Sequence, residues 1–263
     1  MKKSFTTEAI NLKSYPLNDN DSIVVMFSKT KGLLSAVAKG AKRPKSKLGA
    51  RIQTFVANQM MLFEGKNLDT IAQAQSLNTF SKIRNDLDKL SYSMYIAELV
   101  NNFCSKDFNQ DENYENIYNL IFNSYEKIAN ATKKEEVLLT TLKFQIKLMQ
   151  NLGWGLDFTD CLKCQCVLEN DEQKSTYFAY NLGGFLCENC FSDGYNQGIK
   201  IHNKIRFFLC ELARVEFESK TKYDDLVTLN ILDKCFLFMK KYIDTLTNKK
   251  TKIFEVLEKT AVV

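Results

Sequence analysis

Four cysteines stand in two C-x2-C pairs, Cys161-Leu162-Lys163-Cys164 and Cys187-Glu188-Asn189-Cys190, with 22 residues between them. Such a pair lets two thiolates face one ion while backbone N–H groups turn toward the sulfurs, and two pairs complete a tetrahedral four-sulfur site. The run Thr176 to Leu186, turning at Gly183-Gly184, supplies a hairpin that brings them together. The spacing slightly exceeds the roughly 15–20 residues usual for zinc, but a longer hairpin costs little closure entropy. One structural Zn2+ on Cys161, Cys164, Cys187 and Cys190 is therefore the expected cofactor. Cys166 is read as a spectator, because the outer pair matches its partner. A redox C-x-x-C would need only one pair, and a bacterial iron–sulfur signature packs its cysteines more tightly. A zinc deaminase needs H-x-E with P-C-x-x-C, and neither is present. Four thiolates leave no open position for a reactive water, so such a metal is structural.

The rest of the chemical inventory is sparse. His202 is the single histidine, so triads, Cys–His dyads and multi-histidine metal sites fail on residue count. Its place at the start of a helix suggests a surface or capping role. Cys104, Cys210 and Cys235 sit in apolar helical surroundings and read as core, and Trp154 as packing. Met1-Lys2-Lys3 is followed by Thr6, Thr7 and Glu8 where a signal peptide would turn apolar, and no apolar run approaches the ~20 residues of a membrane span. A cytosolic protein with reduced or metal-bound thiols is the expectation.

Charge supplies the second candidate site. Residues 1–80 carry twelve Lys/Arg against five Asp/Glu, whereas the remainder carries 24 against 26. No acid occurs between residues 22 and 63, and the segment 29–51 holds Lys29, Lys31, Lys39, Lys42, Arg43, Lys45, Lys47 and Arg51. A solvated face interleaves both signs, so eight cations without an anion point to a polyanion site. A solvated lysine-rich loop is the plainer alternative. An anionic membrane fits less well, since these cations lie between strand-like runs and not on an amphipathic helix.

Positioning these groups falls to two kinds of element. Period-2 runs at Ile10–Leu12, Ile23–Phe27, Leu33–Lys39, Ile52–Phe63 and Leu68–Ser76 predict five short strands, as in a small closed barrel of the OB type. The basic stretch Gly40–Ala50 is then the loop between the third and fourth strands, with Lys29 and Lys31 at its rim. From Ser81 the period becomes 3.6. Helices are predicted around Ile83–Val100, Ile117–Tyr125, Val137–Met149, Ile205–Phe217 and Leu226–Leu246, with Asp107–Asn116 a linker. The expected architecture is α+β: an OB domain at 1–80, and a helical domain at 81–263 with a zinc-binding insertion at about 158–195. On residues alone this is a zinc-containing nucleic-acid-binding protein. A zinc-ribbon OB-fold RNA-binding protein, or an adaptor whose helical domain docks acidic protein tails, stays open beside it.

The combination resembles the RecO family of bacterial DNA-repair proteins. The run Val37–Phe55, V-A-K-G-A-K-R-P-K-S-K-L-G-A-R-I-Q-T-F, is similar to that family's strand–basic loop–strand signature. Glu8–Lys13 and Asp21–Phe27 resemble its first two strands, Phe144–Trp154 the helix before the cysteines, and Gly183–Cys190 the second cysteine pair. Two departures stand out: Thr54 where the family often has proline, and the extra Cys166. The resemblance implies a non-enzymatic recombination mediator, cytoplasmic and nucleoid-associated. Such a protein binds single- and double-stranded DNA, anneals complementary strands, and docks the acidic C-terminal tail of single-stranded-DNA-binding protein. With RecR, it helps load RecA.

Overall fold

A computed structural model describes residues 3–104, 113–193, 198–221, 228–247 and 251–253, in two compact units. One runs to Thr132 and is rejoined at Thr251; the other runs from Lys133 to Lys250.

The first unit is built on five strands: β1 (Ser4–Pro16), β2 (Ser22–Ser28), β3 (Gly32–Ala38), β4 (Ala57–Phe63) and β5 (Asp69–Asn78). They close in the order β1-β2-β3-β5-β4. Every pairing is antiparallel except β3 with β5, where Ala36 and Val37 lie opposite Asp69 and Thr70. This is the expected OB-type barrel. Its interior mixes small and large side chains, with Ala9, Ala36 and Ala74 beside Val24, Met26, Met60 and Leu62. That mixture lets a narrow barrel fill its own lumen.

Two details of the strands depart from the sequence reading. The period-2 run sets Ile23, Val25 and Phe27 on one face and points that face inward, but Val24 and Met26 line the lumen. Every residue from Ile23 to Phe27 is apolar, so alternation could not choose a face; pairing does. Ala9 faces the lumen opposite Ser28, so the next pair, Ile10 with Phe27, faces outward. There the Phe27 ring meets Tyr114 edge-on at 6.2 Å. The second departure is β4, which starts at Ala57 and not Ile52. Phe55 sits at φ +74°, a left-handed conformation that no strand can contain.

A 3-10 turn (Ser81–Asn85) leads to α1 (Leu87–Phe103), capped by the Asp86 carboxylate accepting the Lys89 N–H at 2.9 Å, and then to α2 (Tyr114–Asn130). These helices pack on β1 and β2. Tyr125 of α2 is fully buried edge-on to Phe55 and Phe80, at 5.3 and 5.9 Å. Residues 107–112 of the expected linker lie outside the described residues, and Tyr114 already belongs to α2. The backbone N–H groups of Lys252 and Ile253 return to the Glu98 carboxylate.

The second unit opens with α3 (Lys134–Asn151) and closes with α5 (Asn203–Arg214) and α6 (Leu229–Thr247), which pack on it and on each other. Between them lies a small antiparallel sheet in the order β7-β6-β8, made of β6 (Ser175–Ala179), β7 (Gly184–Leu186) and β8 (Ile199–His202). The five-residue α4 (Glu188–Ser192) follows β7. β8 and α4 had no counterpart in the sequence reading: each is too short to show a period. Phe178 ties the sheet to α6, with ring centroids 4.7 Å from Phe238 and 4.9 Å from Phe185. His202 caps α5 through Nδ1, which accepts the Lys204 N–H.

Candidate nucleic-acid interface and metal centre

The basic loop is a fixed structure and not a slack tether. Gly40 enters it at φ +65°, where a side chain would be strained. Its N–H donates to Asp21 Oδ1 at 2.7 Å, and the Lys42 N–H donates to the Asn20 carbonyl at 3.0 Å. Turn hydrogen bonds then run from Arg43 to Gly40, Ser46 to Arg43 and Arg51 to Leu48. Ala41 and Ile52 are buried in the barrel core, and Leu48 packs against it.

The far end of the loop is held by two buried asparagines. Asn11 Nδ2 donates to the carbonyls of Arg51 (2.7 Å) and Gln53 (2.9 Å), and Asn58 Nδ2 also donates to Arg51 O (2.9 Å). Both asparagines are fully buried. Backbone bonds from Asn11 N to Val56 O and from Phe55 N to Asn11 O complete the clamp. Arg84 adds a tie from the 3-10 turn, donating to Thr54 O and Thr79 O.

With its backbone and apolar side chains turned inward, the loop directs its cations outward. Lys39, Lys42, Arg43, Lys45 and Lys47 are exposed and Arg51 is half-buried. Among the described residues none of the six makes a salt bridge. Asp21, an acid beside the loop, already accepts from Gly40 and Asn18, which hold its carboxyl below the usual aspartate range, with smaller help from Lys39 and Arg43. Lys47 and Arg51 form one wall of a groove of about 680 Å3 across β1, β4 and β5, lined also by Thr6, Gln59, Gln73 and Gln75.

Lys29 and Lys31 stand apart from this group. They occupy the turn before β3, while the loop follows it; seven strand residues put them roughly 20 Å from Lys39. Lys29 is 3.2 Å from a Glu115 carboxylate oxygen, and Lys31 donates to Glu64 at 2.9 Å while lying 3.6 Å over the Phe5 ring. Their charge is committed within the unit.

In the second unit the cysteines converge. Residues 160–167 form a tight hairpin: Asp160 bridges Val167, and the N–H of Cys161 donates to Cys166 O at 2.9 Å. Gln165, at φ +57°, makes the turn. The Leu162 N–H donates to Phe185 O at 2.8 Å, joining the hairpin to β7, and Cys187 then starts α4 as its N-cap. The thiols of Cys161, Cys164, Cys166 and Cys187 lie within 4.8 Å of one another, whereas Cys190, expected as the fourth ligand, stands outside that set on α4. The sequence reading set Cys166 aside; the structure places it in the cluster.

The surroundings favour a thiolate at Cys161 and Cys164, whereas the neighbouring Cys164 thiol pushes Cys166 and Cys190 up to about 12. Burial pushes the Cys161 thiol up, but N–H groups of Cys164, Cys187 and Lys163 aimed at its sulfur bring it below the usual value. The Cys166 N–H, then the neighbouring thiols, lower Cys164 to about 6. The Cys164 and Cys187 sulfurs are 3.7 Å apart. Ligands about 2.3 Å from one zinc ion at tetrahedral angles are separated by about 3.8 Å, so the donor set fits such an ion.

Two residues that sequence reasoning missed hold this hairpin. Arg206 of α5, 2% exposed, donates to the carbonyls of Phe158 and Glu169 on either side of it. Asn203, fully buried, donates to the carbonyls of Asp171 and Glu169 and accepts from Thr176. Their only sequence signal is a position on the inner face of an amphipathic helix.

Residues 1–80 match the family described as Recombination protein O N terminal, and residues 84–198 match Recombination protein O C terminal. A DNA repair protein RecO from Clostridium novyi (strain NT) is 28% identical over 252 residues, covering 96% of this chain and 93% of its own. One from Alkaliphilus metalliredigens (strain QYMF) is 34% identical over 186 residues, 70% of this chain and 71% of its own. Another, from Acetivibrio thermocellus, is 30% identical over 187 residues, 71% and 70% of the two chains. Among the described residues no helix is long and apolar enough to cross a membrane. With both family regions matched in order around an OB-type barrel and a cysteine cluster, the chain belongs to the RecO family.

Proposed function

We propose that this protein is a non-enzymatic DNA-repair and recombination mediator. In this reading residues 1–80 bind single- and double-stranded DNA through Lys39, Lys42, Arg43, Lys45, Lys47 and Arg51. The observation that carries it is the clamped loop. Its backbone is fixed by Asp21, Asn11 and Asn58, and its six cations are left outside any salt bridge among the described residues. Preset cations gain phosphate contacts without first breaking a salt bridge or ordering a loop, and Lys42 gives up only its 3.1 Å bond to the Asn18 carbonyl.

Annealing follows from the same charge. Cations that screen two strands lower their repulsion and raise their encounter rate. The RNA reading is disfavoured by the aromatics. Phe27 and Phe55 are buried in packing, the Phe5 ring is covered by Lys31 and the exposed Tyr15 ring has Lys13 over it at 5.6 Å, whereas an RNA reader presents open rings for stacking. RecR, the acidic tail of single-stranded-DNA-binding protein and delivery of strands to RecA enter as partners on the strength of the family resemblance, as does a place in the cytoplasm on the nucleoid.

The cysteine cluster is assigned one structural Zn2+, drawn from Cys161, Cys164, Cys187 and Cys190. A bound zinc with four thiolates supplies a cross-link between the hairpin and α4, and no open coordination position. The chain's own contribution is to aim N–H groups at the sulfurs and to hold the hairpin from behind with Asn203 and Arg206.

The test is annealing of complementary oligonucleotides precoated with single-stranded-DNA-binding protein. Wild type is expected to anneal them and a Lys42/Arg43/Lys45/Lys47→Glu variant to fail. No annealing by either protein would overturn the mediator reading.

A further inference from the structure

The zinc assignment leaves a surplus: the four thiols that meet include Cys166, and Cys190 stands next to them on α4 as a fifth. Resting on that assignment, we propose that Cys161, Cys164 and Cys187 form a constant set of ligands, while Cys166 and Cys190 are alternative occupants of the fourth position.

The geometry behind this is specific. In the 160–167 hairpin the Asp160–Val167 bridge makes Cys161 and Cys166 the next opposed pair, joined by the 2.9 Å N–H···O bond. Opposed residues of an antiparallel pair put their side chains on one face, with Cβ atoms roughly 4.5–5.5 Å apart. Cys166 is therefore delivered to the cluster by the same backbone that delivers Cys161. The left-handed turn at Gln165 keeps its sulfur beside that of Cys164.

Cys190 arrives from the other side. It lies three residues beyond Cys187 on α4, and residues three apart on a helix are neighbours on one face. Both candidates border the Cys164–Cys187 edge: the Cys166 sulfur lies within 4.8 Å of both, and Cys190 shares a face of α4 with the N-cap residue Cys187. Cys166 is exposed and Cys190 half-buried, so no packed side chain has to leave for one to replace the other. Three cysteines are shared by every arrangement; the fourth place is contested by two groups of the same chemistry.

The test uses the full chain and two metals. Zinc content is measured for wild type, Cys166→Ser, Cys190→Ser, the double variant and Cys161→Ser. Cobalt substitution then reports the number of thiolates through its sulfur-to-metal charge-transfer band. Each single variant at 166 or 190 is expected to keep one zinc per chain, bound within about tenfold of wild type, with the four-thiolate cobalt spectrum. The double variant should show the three-thiolate band, and Cys161→Ser should lose zinc. Circular dichroism in excess zinc separates metal loss from failure to fold.

If Cys190→Ser alone drops the cobalt band to three thiolates while Cys166→Ser leaves it unchanged, Cys166 is a spectator and the proposal is overturned. The mirror result, with Cys166 indispensable and Cys190 silent, overturns it equally. A wild-type protein that binds neither metal would instead remove the zinc assignment beneath it.

Discussion

The basic loop of the barrel and the cysteine hairpin of the second unit solve opposite problems with similar means. Both are irregular segments whose backbone is gripped by buried polar side chains: Asn11 and Asn58 for the loop, Asn203 and Arg206 for the hairpin. The loop turns its apolar residues in and its charges out, so its ligand must come from outside. The hairpin turns its sulfurs toward one another, so an ion would be held within the unit even though Cys164 and Cys166 are exposed. A buried side chain that satisfies backbone carbonyls thus serves equally to present a charge and to enclose an ion.

If the hairpin is organised around an internal ion, removing that ion should have the largest effect on stability. Structural zinc is worth about 10–16 kcal/mol of binding free energy in small zinc domains. Chelation of wild type, or Cys161→Ser, is expected to lower the calorimetric transition of the second unit by many degrees and leave DNA affinity nearly intact. DNA affinity lost with the transition unchanged would reverse the division of labour. For the loop, the Lys42/Arg43/Lys45/Lys47→Glu variant should lose about a thousandfold or more in single-strand affinity at low salt, with an unchanged melting temperature.

A smaller effect tests the grip itself. Asn11→Ala removes the donor to Arg51 O and Gln53 O without touching any charge. Arg51 O keeps the Asn58 donor and Gln53 O the Val56 N–H, so each lost hydrogen bond costs about 0.5–1.5 kcal/mol, read from the denaturant midpoint. DNA affinity should fall as well, because the cations lose their preset positions. Unaltered binding would mean that the loop works as a slack chain.

The Asp21 contact should give a smaller, pH-dependent signature. Its folded pKa is lowered, so its contribution to stability is complete above the ordinary aspartate value of about 3.9 and is lost as pH falls through the lowered one. The stability difference between wild type and Asp21→Ala should therefore shrink only below about pH 4. A difference unchanged down to about pH 2 would assign the contact no electrostatic part. Least of all is expected of Lys29→Met with Lys31→Met. Those cations answer to Glu115 and Glu64, so the salt dependence of DNA binding should change by less than about one unit of slope.

What was legible in the sequence divides along the same line. Exposed groups were readable, because eight cations without an acid and cysteines in spaced pairs declare themselves by type and spacing. The helix runs were readable where apolar residues recur among polar ones with helical period, as in α2 and α5. The strand runs misled where composition was uniform. Ile23 to Phe27 is apolar throughout, so only pairing with β1 and β3 selects the face. The start of β4 was misplaced because a left-handed Phe55 leaves no trace in an apolar run. The four gripping residues were invisible for a deeper reason: an asparagine or arginine is buried only when the fold brings carbonyls to it. Cys166 belongs with them, since its convergence depends on the register of one hairpin.

The central claim is that six cations on a clamped loop take the phosphates of a DNA strand. The most direct measurement is the salt dependence of single-strand affinity for wild type and a Lys42/Arg43/Lys45/Lys47→Ala variant. Six neutralised phosphates predict a log–log slope near about −4 for wild type, and two remaining cations predict about −1.4 for the variant. A flat wild-type slope, or one the four substitutions leave unchanged, would contradict the account.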